Sequence, residues 1–423
     1  MLRLPTTFRG RLLLIAAGAL ALRLFYVLVL ARHVSKAGDS AFFHAEANLL
    51  AEGKGFIEPF VYVAFGKTVA TASHPPLYPL LLTPVSWAGG TSELAQRVVG
   101  CFTGAACLVV IALIARRIAG DRAGLAAAAI AALYPILIAA DGALMSESLY
   151  GLLVATALLL ALRLYDGGGL VTAAGLGAAI GLAALTRSEA LGLLVLLAWP
   201  LALRRGSGPG RTTRFAAVTG ACMLVLLPWS IRQWSAFDEP FNISHNDSTV
   251  LAGANCDPTY HGRDIGQWRF DCISERRTFD EGKQAATWRR EGIDYIGDHT
   301  GRLPVVVAVR VLRTWDLYQP RRQVDFAESR AIWAQQAGTA VYFLLLPLAA
   351  WGALLVARRS RARLAILLAP VALVFASTVI AYGVPRFRHA AELVIVILAG
   401  VAVAALIDRR AARRARPRAA AAA

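Results

Sequence analysis

The sequence predicts an all-α polytopic membrane protein, on three observations. Of its 423 residues, 57% are hydrophobic and 17% charged, against about 25% charged in an ordinary soluble domain. That is more apolar surface than one or two water-facing cores can hide. Apolar runs of the length that crosses a bilayer, about 17–25 residues, recur along the chain. The basic residues, which set a formal charge of +17, fall in short clusters between those runs.

Ten candidate spans follow in order: 12–31, 94–115, 122–140, 146–164, 169–186, 189–203, 215–233, 336–357, 363–381 and 390–407. The first is too long for a signal h-region and no small-residue cleavage site follows it, so it reads as a retained span. With the N-terminus inside, every Arg cluster lands on the cytoplasmic side: Arg3, Arg9 and Arg11; Arg116, Arg117 and Arg122; Arg204, Arg205, Arg211 and Arg214; Arg358, Arg359, Arg361 and Arg363; and Arg409 through Arg418. This is the positive-inside pattern of a plasma-membrane protein with both termini cytoplasmic. Basic residues dispersed in this way do not form the single patch that nucleic acid requires, so nucleic acid is excluded as a partner.

The expected organisation is a transmembrane module over 1–233 with a first outer loop at 32–93, an extracytoplasmic insert at 234–335, C-terminal transmembrane helices at 336–407, and a basic cytoplasmic tail at 408–423. The first loop is half apolar but rich in Pro and Gly, which suits short amphipathic helices in the outer interface, with 77–88 re-entrant as the alternative. In the insert, Val305, Val306, Val309, Leu312 and Leu317 make a 3.6-period face with Arg310 and Arg313 opposite, as expected of a helix lying on the membrane. Cys256 and Cys272 lie in the same insert and can pair if it faces an oxidising compartment. Such a bond closes a loop worth about 3 kcal/mol in the chain-entropy model.

Ionisable groups beside spans are costly and so are functional candidates. Asp39 follows the first span, Asp141 and Glu147 flank the turn between the third and fourth, Arg187 and Glu189 lie between the fifth and sixth, and Arg386 and Arg388 precede the last. All share the outer face. Carboxylates beside guanidiniums suit transfer from a phosphate-linked donor: one carboxylate takes a proton from an acceptor hydroxyl while Arg stabilises the departing phosphate. Each also has a plainer reading: Asp39 and Glu147 as helix-terminus charges, Arg187 with Glu189 as a structural ion pair, Arg386 and Arg388 as lipid-headgroup contacts, His74 as a turn residue. Glu46 reads as a residue of a solvated face. No G-x-x-x-x-G-K-[ST] loop is present, which argues against an ATP-driven pump.

Gly38-Asp39-Ser40, the stretch Ala45 to Phe56, and His74-Pro75-Pro76-Leu77-Tyr78-Pro79 together resemble the first extracytoplasmic loop of GT-C glycosyltransferases, in the branch of protein O-mannosyltransferases and the lipid A aminoarabinose transferase. Ala115 to Gly120, Leu144 to Glu147, Leu185 to Ala190 and Tyr382 to Arg388 are similar to recurring patterns of its bacterial members, and the insert around Gly253 to Cys256 to that of actinobacterial ones. The resemblance implies a GT-C fold and a multi-pass enzyme of the cell membrane. Such an enzyme moves a hexose or pentose from a polyprenyl-phosphate donor to a glycan, lipid or protein acceptor, with inversion, at the outer face. It places the general base at Asp39 and matches Asp141 to the neighbourhood of a second-loop acid. Their shared outer face makes Arg187, Arg386 and Arg388 candidates for the donor phosphate, His74 and Glu147 for positioning or metal contact, Glu147 also for catalysis, and Glu189 for substrate binding. A divalent metal is open: family members often carry a second acid directly after the first, where this chain has Ser40. The alternative is a flippase or transporter of a lipid-linked saccharide, which calls for broken spans and symmetric halves that the sequence does not display.

Overall fold

The computed structural model describes residues 6–34, 38–204, 210–239, 243–276, 278–324 and 328–420, with side chains to 412. Each of the ten apolar runs is helical, and among the described residues the only β-pairing is an isolated bridge between Ile57 and Ala70. Helix α1 (Phe8–Phe25) starts at Thr7, whose hydroxyl accepts the Gly10 N–H, and continues through a π-helical stretch to Leu30. Three short helices, α2 (Asp39–Ala51), α3 (Pro59–Phe65) and α4 (Leu77–Trp87), make up the first loop. Phe42, Phe43 and Ala47 of α2 pack on Tyr78 and Leu82 of α4, so the aromatic residues of this loop build a small core of their own.

Next come α5 (Glu93–Ala119), α6 (Asp121–Leu133), α7 (Pro135–Gly142), α8 (Glu147–Tyr165), α9 (Leu170–Ala184), α10 (Ser188–Ala202) and α11 (Arg211–Ala236). The insert contributes α12 (Asn246–Ala254), α13 (Glu281–Asp298) and α14 (Leu303–Thr314). The bundle is completed by α15 (Ile332–Arg359), α16 (Arg361–Ile380) and α17 (His389–Ala420). The predicted count of ten spans is not reached by length and composition: among the described residues seven helices qualify, or eight with α6 and α7 taken as one span bent by 59°. The bend has a local cause. Pro135 has no N–H for the helix, and the residue before a proline is driven out of the helical region, as Tyr134 is at ψ 112°. The α9 and α10 runs are short because Arg187 stands extended between them.

Without a hydrophobic drive between helices in lipid, close packing relies on small residues. A β-carbon at Gly177 of α9 would collide with the Val218 carbonyl of α11, so only glycine permits that approach. Helix ends rich in Arg collect at one end of the bundle, where Asp166 accepts Arg117 at 2.8 Å and Arg363 at 3.1 Å. Helix α8 rises roughly 28 Å from Glu147 to this end, which puts Glu147 at the opposite one.

The insert has its own core of Tyr260, Ile265, Val306 and Val309, and a Cys256–Cys272 disulfide. Helix α14 does not present its Arg residues to solvent. Arg310 and Arg313 are buried, donating to the Ala254, Asn255 and Ile265 oxygens, whereas Val305, Leu312 and Leu317 are exposed. Buried carbonyls of the insert need donors more than the apolar edge needs cover. Glu281 fastens the insert to the first loop by accepting the Thr71 hydroxyl at 2.6 Å and the Ala72 N–H at 3.0 Å. Glu46 is likewise not on a solvated face: it is 1% exposed, and burial pushes its carboxyl up to about 9.

Candidate functional site

Asp39 opens α2 directly after Gly38, which holds a positive φ of 54° and caps the helix without a side-chain bond. The Asp39 carboxylate is therefore turned away from its own helix. It accepts Arg386 Nη2 at 2.9 Å, and its other oxygen lies 3.7 Å from His74 Nε2. Burial by itself would raise this carboxyl, but Arg386 and then His74 hold it at about 2. His74 sits between the rings of Phe42 and Phe43, at 4.7 and 4.8 Å, and burial lowers its pKa against the opposing pull of Asp39.

Arg386 also pairs with Glu328, so one guanidinium bridges two carboxylates from opposite ends of the chain. Glu328 sits in the opposite regime: burial outweighs Arg386 and lifts it to about 7. Beneath them, Glu147 is 1% exposed and meets three guanidiniums, Arg187 at 3.5 Å, Arg330 at 3.8 Å and Arg386 at 4.0 Å. The N-cap of α8 is Ser146, whose side chain makes no capping bond. Arg187 donates to Glu189 at 2.6 Å, and against the cost of burial Glu189 and Glu147 hold it firmly charged.

These groups edge a cavity of about 490 Å³. Asp39, His74, Arg187, Glu189 and Arg386 line it together with Tyr150, while Leu373, Val374 and Ile380 of α16 and Val250 and Leu251 of α12 form an apolar wall. A cavity with cations and a carboxylate at one end and hydrocarbon along its side matches a ligand with an anionic head and an apolar body.

Two residues expected here lie elsewhere. Asp141 is buried against Arg23 of α1 at 2.7 Å, accommodated because Gly104 has no side chain, and does not line the cavity. Arg388 points the other way, donating to Glu392 at 2.5 Å, Asp316 at 2.6 Å and the Thr314 carbonyl. Buried charges must be paired, and each has found a dedicated partner inside the bundle. Conversely, Glu328, Arg330 and the deep position of Glu147 among three cations were not read from the sequence. The signal available was Glu328-Ser329-Arg330 just ahead of a span, the same placement that singled out Arg386.

The metal question turns on these contacts. Among the described residues no group of three or more His, Cys, Asp or Glu is placed to hold an ion, and the cation between Asp39 and Glu328 is Arg386 itself. The donor set of the described residues does not fit a divalent metal.

Residues 73–231 match the family model described as dolichyl-phosphate-mannose-protein mannosyltransferase. No curated protein matches the chain by sequence. Among solved structures, the apo oligosaccharyltransferase of Archaeoglobus fulgidus is 15% identical, with a TM-score of 0.54 over 97% of this chain and 52% of that one. The same archaeal enzyme, AglB, in complex with an inhibitory peptide and a dolichol-phosphate, gives 14% and 0.53 over 97% and 52%. ArnT from Cupriavidus metallidurans bound to undecaprenyl phosphate gives 15% and 0.46 over 93% and 78%. The chain spans about half the length of the archaeal enzyme it matches. The chain therefore shares the fold of the archaeal oligosaccharyltransferase, and residues 73–231 within it match the mannosyltransferase family model.

Proposed function

We propose that the protein transfers a sugar from a polyprenyl-phosphate donor to an acceptor hydroxyl at the outer face of the cytoplasmic membrane, with inversion. The single observation that carries this reading is the convergence of Asp39, Arg187 and Arg386 on a cavity with an apolar wall. The description of the matching family and the dolichol-phosphate in the archaeal complex support a lipid-phosphate donor. The Arg-rich end of the bundle would face the cytoplasm by the positive-inside rule, which would put the cavity at the outer end.

In this reading Asp39 is the general base. It takes the proton of the acceptor hydroxyl as that oxygen attacks the anomeric carbon from the face opposite the phosphate. The bond from carbon to phosphate oxygen breaks, and the polyprenyl phosphate departs with the electron pair, held by Arg187 and Arg386 through charge-assisted hydrogen bonds. The low pKa of Asp39 is a property of the empty site. A donor phosphate that engages Arg386 draws the guanidinium's charge away from Asp39, and the carboxylate becomes more basic where a base is needed. Glu147 and Glu189 orient the guanidiniums, and His74, wedged between rings, positions the Asp39 carboxylate.

The test is transfer by purified protein in lipid from a panel of radiolabelled polyprenyl-phosphate sugars to an envelope extract, comparing wild type with folded Asp39→Asn. Loss of transfer in the variant is expected. Transfer that survives removes Asp39 from its role, and lipid binding or translocation with no transfer by wild type moves the reading to a carrier.

A further inference from the structure

A second cavity, of about 480 Å³, meets the first at Tyr382, which lines both. Its wall is aromatic on one side. The Trp268 and Tyr382 rings lie 6.3 Å apart and inclined by 33°, and Phe270 stands beside Trp268 at 6.2 Å with 77% of its surface exposed.

The other side of the wall is polar in an unusual way. Gln267 and Gln323 are each 3% exposed and line this cavity. Both side-chain heteroatoms of Gln267 and the Oε1 of Gln323 are buried without a protein hydrogen-bond partner. A buried amide that the protein leaves unpaired costs stability, and each such group calls for an explanation. Here the explanation is a ligand that both donates and accepts. The remaining charges are already matched, Arg269 with Asp271 at 2.6 Å, and Glu328 with Arg386, so the free capacity of the wall is neutral.

We infer that this second cavity binds the acceptor and that the acceptor is a carbohydrate, its ring stacked on Trp268, Phe270 and Tyr382 and its hydroxyls bonded to Gln267 and Gln323. The C–H face of a pyranose or furanose carries partial positive charge and meets the negative face of an aromatic ring. Its hydroxyls, each donor and acceptor, satisfy both ends of a primary amide. A lipid acceptor would need a continuous apolar wall, which Arg269, Asp271 and the two glutamines interrupt. The cavity reaches Glu328, which shares the Arg386 guanidinium with Asp39. A sugar hydroxyl at its inner end is thereby delivered to the base. This assignment rests on the transferase reading for the fate of the hydroxyl, but the binding site itself stands on the cavity.

The experiment uses the full chain in lipid nanodiscs. Binding of mannotetraose, α-1,5-arabinotetraose, chitotetraose and a Ser/Thr-containing decapeptide is measured by saturation-transfer NMR, for wild type, Gln267→Leu and Phe270→Ala. At least one tetrasaccharide is expected to bind, and each variant to weaken it by about tenfold or more, the equivalent of roughly 1.4 kcal/mol. Gln267→Leu is expected to keep or raise the melting temperature, because it removes an unpaired buried amide; a merely structural glutamine would lower it. Binding of no tetrasaccharide, tetrasaccharide affinities unchanged in both variants, or selective binding of the peptide would each overturn the inference. Undecaprenyl phosphate binding, measured in parallel, reports the donor cavity separately. Its failure with saccharide binding intact would refute the donor reading alone.

Discussion

Arg386→Gln isolates the electrostatic step on which the mechanism depends. The guanidinium lies 2.9 Å from an Asp39 oxygen, and at an effective dielectric of about 20 that pair is worth up to roughly 6 kcal/mol, or about four pH units. Since 30% of the Asp39 side chain is exposed, water trims the figure, and a rise of about two units is expected. The sign follows from the contact: removing a cation favours the protonated carboxyl, so Asp39 rises from about 2, and burial, which is left in place, pushes it further in the same direction. The assay is the pH dependence of kcat/KM for sugar transfer in nanodiscs, which reports the groups of the free enzyme. Wild type should show no acid limb from Asp39 above about pH 4, while Arg386→Gln should bring that limb into the measurable range and lower kcat by about 10²-fold through loss of a phosphate contact. Glu328, held by the same guanidinium and titrating at about 7, is removed from the profile by repeating it in a Glu328→Gln background. An acid limb that does not move, with kcat within threefold of wild type, would refute both roles of Arg386.

Three further outcomes are expected. Replacing Cys256 and Cys272 together by Ser, or reducing the wild type, should lower the melting temperature, since closing a loop over a separation of 16 residues is worth about 3 kcal/mol in the chain-entropy model. Asp141→Asn should destabilise by about 3–5 kcal/mol by leaving Arg23 buried without its charge partner, while transfer by the folded fraction keeps its wild-type kcat. Glu328 has a folded pKa of about 7 above its ordinary 4.5, so its contribution is complete below pH 4.5 and lost as pH rises through 7. Thermal melts should show wild type losing up to about 3 kcal/mol across that window and Glu328→Gln losing less.

What was legible in the sequence follows the physics of each signal. Bilayer thickness writes span length into hydropathy, and the apolar runs were accordingly found as helices. The interruption at Arg187 was found too, because a charge breaks the hydropathy, but the bend at Pro135 was not, because a proline within an apolar run marks a bend only once its neighbours fix its geometry. Asp39, Arg187 and Arg386 were legible because a charge at a membrane boundary is conspicuous. The same rule also selected Asp141 and Arg388, whose Arg23 and Asp316 partners are 118 and 72 residues distant, and no local pattern reveals a pairing at that separation. Glu328 escaped notice although it stands just ahead of a span, because in a polar insert one more carboxylate is inconspicuous until Arg386 is seen beside it.

The charges around Arg386 make the two carboxylates unequal, and the inequality matters more than either position. Three guanidiniums, Arg187, Arg330 and Arg386, face four carboxylates, Asp39, Glu147, Glu189 and Glu328. A phosphate entering such a set adds negative charge to a cluster that already has no spare cation. The group that can absorb the excess by taking up a proton is the one whose carboxyl already titrates near neutrality, Glu328, rather than Asp39, which Arg386 and His74 keep ionised. Environments that drive two neighbouring carboxyls apart in pKa assign them different tasks. In the proposed mechanism Asp39, ionised and open to the first cavity, is the one left to accept the acceptor's proton, while Glu328, on the side of the second cavity, offsets the charge that the donor brings.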